Sequence, residues 1–124
     1  MMFVDANVIV NAFVDGKNRE MCREILRGDF VTDALCLVEA QHGISVIRRD
    51  SLYAAICIRS LFKSRSLILP LDRNLMFESF RRAGKYRLDV FDMIHYASAL
   101  VNNCSEFVSY DKDFDGLEIK RTEP

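Results

Sequence analysis

The sequence predicts a three-layer α/β/α domain in which helices cover both faces of a mostly parallel sheet of about five strands. Short apolar segments alternate with helical segments along the whole chain, and this alternation is typical of parallel sheets. The chain has 124 residues, which is enough for one domain with a core of its own. No linker, internal repeat or low-complexity tract divides it, so residues 1–124 are interpreted as a single domain.

Periodicity and turn residues locate the individual elements. Strands are predicted at residues 3–4, 30–31, 67–69, 106–110 and 117–120, with the last at an edge of the sheet. Helices are predicted at residues 6–14, 18–27, 34–47, 51–62, 73–84 and 90–102. Thr32-Asp33 is expected to cap the third helix and Asp50 the fourth, because side-chain oxygens of these residues can accept a hydrogen bond from a free backbone N–H. Gly43 weakens the third helix and allows a bend there.

Four of the helices carry apolar residues at the three- and four-residue spacing of a buried face. The residues expected to point inward are Met21, Cys22, Ile25 and Leu26, then Leu37, Ala40, Ile44 and Ile47, then Leu52, Ala55, Ile56 and the stem of Arg59, and finally Leu75, Phe77 and Phe80. These faces predict how each helix is rotated against the sheet.

Composition narrows the classes of protein to consider. Half of the residues are hydrophobic and 28% are charged, as in an ordinary globular protein. The formal net charge is -1, so a nucleic-acid partner would have to be attracted by local Lys and Arg. The cysteines are Cys22, Cys36, Cys57 and Cys104, and they form no CxxC pair. We therefore expect buried free thiols in a reducing cytoplasm, without a zinc site, an export signal or a membrane span.

Four acidic residues stand where an α/β sheet presents its functional groups. Asp5 and Asp111 follow predicted parallel strands, and the carboxyl ends of such strands share the edge where open α/β folds bind ligands. Asp92 lies near the start of a helix that enters from the same edge. Glu39 is the only acid in CLVEAQ, and an ionised carboxylate in so apolar a setting needs a partner. We expect the four residues to form one site.

Four neighbouring carboxylates cannot all stay ionised without cations, because like charges raise the pKa of at least one of them. Hard oxygen ligands suit Mg²⁺ or Mn²⁺. Two such ions about 3.5–4 Å apart serve in-line hydrolysis of a phosphodiester, in which one activates water and the other stabilises the leaving oxygen. The sequence therefore predicts a site for one or two of these ions.

Four segments also form a recognisable set, namely FVDAN, TDALCLVEA, LDVFDMIHYASAL and FVSYDKDF, in this order along the chain. Together they resemble the PIN domain family, and most of all the small toxin ribonucleases of the VapC type. The resemblance implies a PIN-like sandwich and a Mg²⁺- or Mn²⁺-dependent endoribonuclease that leaves a 3′-hydroxyl and a 5′-phosphate on RNA. It also implies a cognate antitoxin and a homodimer.

The resemblance assigns roles to individual residues by position. The acidic quartet that would hold metal and carry catalysis is Asp5, Glu39, Asp92 and Asp111. Asn7 and Ser109 match polar residues that orient the carboxylates or the attacking water. Every acidic position of the family is filled, which argues against an inactive relative.

Several acids near the site also have simpler explanations. Asp92 would be favourable at the start of its helix for electrostatic reasons alone. Asp89 is expected mainly as a helix N-cap, with metal binding as the alternative. Asp113 and Asp115 alternate as at the start of an EF-hand loop, but Thr122 stands where that loop needs its bidentate Glu, so calcium is rejected. Asp113 or Asp115 stays a candidate for contact with a second ion.

Basic and aromatic residues leave further alternatives open. The basic residues before the Asp92 helix are Arg81, Arg82, Lys85 and Arg87. They are interpreted either as a solvated face or as a phosphate track for RNA. His42 and His95 are more typical of packed or surface histidines than of catalytic bases. Tyr86, Phe91 and Tyr96 are expected in the core, with stacking on bases as the alternative.

Two other classes of function remain compatible with the sequence. A PIN-like module that binds RNA or protein without cutting would not need the complete quartet. A metal-dependent phosphatase would use the same cluster on small phosphate esters. Cleavage of RNA that requires Mn²⁺ and is lost with a chelator or with Asp5→Asn distinguishes the nuclease from both.

Overall fold

A parallel five-stranded sheet forms the centre of the computed structural model, which describes residues 1–124. The strands are β1 (Met2–Val4), β2 (Phe30–Asp33), β3 (Ser66–Leu69), β4 (Glu106–Val108) and β5 (Lys120–Thr122). Their order is β3-β2-β1-β4-β5, so the first strand is central and the last lies at an edge. Phe3 pairs with Val31 on one side and with Phe107 on the other. The prediction of a mostly parallel sheet of about five strands is confirmed.

Six helices flank this sheet. They are α1 (Ala6–Phe13), α2 (Arg19–Arg27), α3 (Ala34–Arg48), α4 (Ser51–Ser60), α5 (Arg73–Phe80) and α6 (Val90–Val101). Asp33 and Asp50 cap α3 and α4 as predicted, accepting hydrogen bonds from the backbone N–H of Cys36 and Tyr53. None of the helices combines the length and the apolar composition needed to cross a bilayer.

The core lies around the central strands and contains a cluster of aromatic rings. Phe107 contacts Phe3 with ring centroids 5.0 Å apart and Phe114 with centroids 4.2 Å apart. Tyr96 is fully buried against Phe107, and its hydroxyl oxygen accepts a hydrogen bond from the backbone N–H of Ile119. All four cysteines are free and buried, as predicted. Aromatic packing thus fixes α6 and the C-terminal segment against the sheet.

Gly43 has a packing role and does not interrupt its helix. Helix α3 is continuous from Ala34 to Arg48. A Cβ atom at Gly43 would lie 3.0 Å from Cγ2 of Val10 on α1. The glycine therefore allows α3 to approach α1 closely, which explains why a residue of low helix propensity stands there.

The predicted inward face of α4 is wrong. Leu52 is 70% exposed and Ile56 is 48% exposed, and Ala55 and Arg59 are exposed as well. The buried residues of this helix are Ala54, Cys57 and Ile58. Apolar residues surround α4 on all sides, so periodicity alone does not select which side meets the core.

Four further inward predictions are also wrong, for a related reason. Met21, Ile47, Phe77 and Phe80 are all exposed, and so is Phe91, which was expected in the core. Helix α5 buries Leu75 and Ser79. Because two residues along a helix turn through about 200°, Phe77 then points away from the core. The chain consequently displays large apolar side chains on its outer surface.

Some element boundaries also differ from the predictions. Helix α5 ends at Phe80, four residues before the predicted end at residue 84, and Gly84 adopts a left-handed φ of 88° in the loop that follows. Strand β5 begins at Lys120, where the sequence predicted an end. The loop before α6 is therefore longer than expected, and it borders the acidic site.

Candidate metal centre

Asp5 is held in a fixed orientation where β1 passes into α1. Its Oδ1 accepts a hydrogen bond from the backbone N–H of Ala6 at 2.8 Å. Its Oδ2 accepts from Oγ of Ser109 at 2.7 Å and from Nδ2 of Asn7 at 3.3 Å. Burial raises the pKa of this carboxyl, although the charge of His95 and the hydrogen bonds from Ser109 and Ala6 oppose the shift.

Ser109 and Asn7 connect Asp5 to the loop after β4. Nδ2 of Asn7 donates to Oγ of Ser109 at 3.1 Å, and the backbone N–H of Asp111 donates to the same oxygen at 3.0 Å. The backbone N–H of Tyr110 donates to Oδ1 of Asn7 at 3.2 Å. The two polar residues therefore place the carboxylates that follow β1 and β4 relative to each other.

Asp92 lies in the first turn of α6, and its carboxylate meets those of Asp111 and Asp113. One oxygen from each of the three lies within 4.8 Å of the others. Burial raises the pKa of Asp92 to about 7, and the charges of Asp89, Asp111 and Asp5 add to this shift. A carboxyl group so close to other acids is ready to exchange its proton for a cation.

Glu39, the fourth acid of the predicted quartet, lies on α3. Its side chain is 36% exposed, and its Oε1 accepts a hydrogen bond from Nε2 of His95 at 3.0 Å. Its charge also contributes to the raised pKa of Asp5. The structure thus places Asp92 and Asp111 in one close group with Asp113, and Asp5 in a second group with Cys36 and His95, to which Glu39 is hydrogen-bonded. The roles of Asp5, Glu39, Asp92 and Asp111 as metal ligands stay predictions.

The three further acids considered as metal ligands, Asp89, Asp113 and Asp115, have different partners in the structure. Asp89 caps α6 by accepting a hydrogen bond from the backbone N–H of Asp92 at 2.8 Å. Asp113 lies in the acidic cluster and is exposed. Asp115 instead pairs with Arg121 at 2.6 Å. Of the two residues considered for a second ion, the geometry favours Asp113.

Most of the basic run near the site is already paired. Arg81 and Arg82 both contact the carboxylate of Glu78. Nζ of Lys85 lies 3.7 Å from Oε1 of Glu118. Arg87 makes no ion pair, so it is the member of the run whose charge is free to meet a phosphate. The proposed RNA track stays a prediction.

A buried polar network behind the quartet was missed from the sequence. Asp33, expected only as a helix cap, also accepts hydrogen bonds from Nδ1 of His95 at 2.8 Å and from Oγ of Ser98 at 2.9 Å. His95 is fully buried, whereas His42 is exposed. The available signal was the position of His95 three residues after Asp92, which places both on neighbouring parts of α6.

The surroundings of His95, Asp33 and Cys36 shift the pKa of each of these groups. Burial lowers the pKa of His95, but its contacts with Cys36, Asp33 and Glu39 raise it, and the net direction is upward. Burial likewise opposes the ionised form of Asp33, yet its hydrogen bond and its charge interaction with His95 hold the pKa of that carboxyl below its usual value. Each ring nitrogen of His95 faces a carboxylate oxygen at hydrogen-bond distance, so both nitrogens donate. Burial raises the pKa of the Cys36 thiol to about 12, so it is uncharged near neutral pH.

The donor set fits a hard divalent cation and not zinc. Asp92, Asp111 and Asp113 offer carboxylate oxygens at close range, and the charge of Asp5 acts on Asp92. Such oxygens are the ligands that Mg²⁺ and Mn²⁺ prefer. Cys36 and His95 also lie near Asp5, but the thiol keeps its proton and both ring nitrogens are engaged with carboxylates. A zinc site would need those groups free.

Several solved structures share this fold, and three of them illustrate the similarity. VapC20 of Mycobacterium tuberculosis, a toxin that cleaves the sarcin–ricin loop, has a TM-score of 0.80 at 14% identity over 100% of both chains. A chain of a toxin–antitoxin complex from Klebsiella pneumoniae has a TM-score of 0.76 at 15% identity, over 98% of this chain and 97% of that one. VapBC2 from Rickettsia felis, bound to a DNA fragment from its promoter, gives 0.70 at 16% identity, over 100% and 99%.

Sequence comparison gives an independent result. No curated protein matches the chain significantly. The family model of the PIN domain, however, matches residues 2–120. Because that match covers nearly the whole chain, the protein belongs to the PIN domain family.

Proposed function

We propose that the protein is a divalent-metal-dependent endoribonuclease and the toxin of a toxin–antitoxin pair. The observation that supports this proposal is the cluster of Asp92, Asp111 and Asp113, together with the charge interactions that link Asp92 to Asp5 and Asp5 to Glu39. Burial, together with the charges of Asp89, Asp111 and Asp5, raises the pKa of Asp92 to about 7, so the site is poised to bind positive charge. The similarity in fold to VapC20 supports RNA as the substrate.

The proposal assigns metal binding, positioning of water and orientation of a ligand to named residues of the site. Asp5, Asp92 and Asp111 would hold Mg²⁺ or Mn²⁺, and Glu39 would hold metal or position the attacking water. The bound ion supplies Lewis-acid activation of water and neutralises charge on the phosphate. Ser109 keeps Asp5 oriented through its 2.7 Å hydrogen bond. Hydrolysis by the chemistry of this family would leave a 3′-hydroxyl and a 5′-phosphate.

The outer surface supports a protein partner. A groove of about 550 Å³ between α3, α4 and β3 is lined by mostly apolar side chains, including Val38, Ile58 and Ile68. Large exposed apolar surfaces of this kind mark interaction sites. Two of the similar structures are toxin–antitoxin assemblies, which supports an antitoxin as a partner. We also propose a homodimer in the cytoplasm, as expected for this type of toxin.

The test is cleavage of defined RNA by the purified chain. Substrates are an unstructured RNA, a stem–loop and a sarcin–ricin hairpin, the last because VapC20 acts on that loop. We expect cleavage with Mn²⁺ or Mg²⁺, none with EDTA, and a loss of more than about 1,000-fold in Asp5→Asn, because the metal site would be broken. Asp29→Asn is the matched control, since Asp29 is exposed and precedes β2 at the opposite edge of the sheet.

The outcomes distinguish the alternatives. RNA binding without any metal-dependent cleavage would favour a non-catalytic module. Hydrolysis of a phosphomonoester with intact RNA would favour a phosphatase. Cleavage that persists in Asp5→Asn would show that the activity does not arise at this site.

A further inference from the structure

We infer that His95 is a positioning residue that fixes the carboxylate of Glu39 toward the metal centre, an inference that rests on the proposed function. His95 bridges two acids that lie on different elements, Asp33 at the end of β2 and Glu39 on α3. Its ring is fully buried, so it touches neither solvent nor an RNA ligand. Any effect it has on the reaction must pass through its neighbours.

The ring of His95 is held rigidly from its far side. Nδ1 lies 2.8 Å from Oδ2 of Asp33. That carboxylate is itself fixed, because it accepts from the backbone N–H of Cys36 at 2.8 Å and from Oγ of Ser98 at 2.9 Å. A carboxylate with three donors cannot rotate without losing a buried hydrogen bond. Asp33 therefore sets the orientation of the imidazole.

Through this imidazole, the orientation of Glu39 is also set. Oε1 of Glu39 accepts from Nε2 of His95 at 3.0 Å, and this is the one hydrogen bond that the side chain makes. Oε2 is left without a protein partner. One oxygen is thus committed to the buried network, and the other is available to an ion or to its water. A chain of carboxylate, histidine and carboxylate of this kind is how outer partners orient metal-binding groups.

The alternative is that the network serves folding alone. Asp33, His95 and Ser98 are all fully buried, and a satisfied polar network of this kind also holds α3, α6 and β2 together. A folding role would involve the Asp33 side of the ring, whereas a positioning role involves the Glu39 side. The two nitrogens can be tested separately.

Two neutral substitutions at one position make this separation. In His95→Asn the amide nitrogen reaches about as far as Nδ1, so it keeps the contact with Asp33 and loses Glu39. In His95→Gln the amide nitrogen reaches about as far as Nε2, so it keeps Glu39 and loses Asp33. Both variants lack any positive charge, so the difference between them reports the hydrogen bond and not the charge.

The primary readout is binding of Mn²⁺ to the purified chain, measured by electron paramagnetic resonance without RNA. We expect His95→Asn to bind Mn²⁺ about 10–100-fold more weakly than His95→Gln. Thermal unfolding should rank the variants in the opposite order, because His95→Gln leaves the buried Asp33 short of a donor. In RNA cleavage, His95→Asn should lower kcat and leave KM unchanged. Equal Mn²⁺ affinities of the two variants would overturn the inference.

A second measurement covers the case in which His95→Gln does not fold. In a Glu39→Gln background, His95→Asn should cause no further loss of Mn²⁺ affinity, because the group it positions is already altered. Additive losses would contradict the inference. Cys104→Ala is the structural control, because Cys104 is buried and precedes β4 at the opposite edge of the sheet; a lowered Tm and unchanged Mn²⁺ affinity are expected. If the wild type itself bound no Mn²⁺ and cut no RNA, the proposed function would fail, whereas binding and cleavage without any His95 effect would refute only this inference.

Discussion

Replacing Asp92 by Asn should stabilise the protein when no metal is bound. The pKa of Asp92 is raised to about 7 from an ordinary 3.8, because burial and the charges of Asp89, Asp111 and Asp5 disfavour its ionised form. Between about pH 4 and pH 7, Asp92 is therefore mostly protonated in the folded state and mostly ionised in the unfolded state. Stability contributed by this group is highest below about pH 4 and falls as pH rises through 7. Asn has the same shape without the charge.

The size of the effect follows from the pKa. One pKa unit corresponds to about 1.36 kcal/mol, so the shift gives an upper bound of about 4 kcal/mol. Asp92 is only half-buried, and solvent screening reduces this to about 1–2 kcal/mol. For a chain of 124 residues, that corresponds to a rise in Tm of about 4–8 °C.

The assay is thermal unfolding followed by circular dichroism, with EDTA or Mn²⁺ at pH 5 and pH 7. We expect Asp92→Asn to raise the Tm in EDTA, more at pH 7 than at pH 5, and to lose most of the increment that Mn²⁺ gives the wild type. Asp15→Asn is the control, because Asp15 is exposed and its pair with Arg19 lies on the surface. A lower Tm for Asp92→Asn in EDTA at pH 7 would refute the electrostatic reasoning.

Three further predictions concern the same site. Ser109→Ala should weaken Mn²⁺ binding about 10–100-fold because the 2.7 Å hydrogen bond to Asp5 is lost. Ser109→Thr should keep the wild-type affinity, since threonine retains the hydroxyl. Unchanged Mn²⁺ affinity of Ser109→Ala in calorimetry would exclude a role of Ser109 in orienting Asp5. Mn²⁺ affinity should fall by up to about tenfold per pH unit below pH 7, since protons compete for Asp92, and a flat profile from pH 6 to 8 would contradict this. Arg87→Ala should weaken RNA binding and reduce its salt dependence by about one phosphate contact. The control is Arg81→Ala, which should weaken RNA binding less because the guanidinium of Arg81 pairs with Glu78. Equal effects of the two variants in a salt titration would contradict a specific role for the unpaired charge of Arg87.

The placement of the acidic residues could be predicted because each depends on local sequence. Asp5 directly follows an apolar strand, and a parallel sheet carries such residues to one edge. Asp92 follows Asp89 by three residues, the spacing of an N-cap and its first turn. These relations involve neighbours along the chain, so one sequence was enough to anticipate them.

The polar network of His95 could not be predicted for the opposite reason. His95 meets Asp33 and Glu39 across 62 and 56 residues of chain, and nothing in the sequence marks these pairs. Whether a helical histidine is a packed residue or part of a site depends on which side chains the fold places opposite it. The exposed Leu52 shows the same limit for apolar residues, because several rotations of α4 would have buried a comparable stripe.

By itself, the sequence determined the succession of strands and helices along the chain, the helix caps, and the edge of the sheet at which Asp5 and Asp111 lie. These features follow from short-range backbone preferences and from the alternation of apolar and polar residues. Only the tertiary structure decided how each helix is rotated, which acid lies beside which, and that a buried histidine joins Asp33 to Glu39. Those outcomes depend on close packing between distant segments, where the fit of whole side chains selects one arrangement among several with similar local patterns.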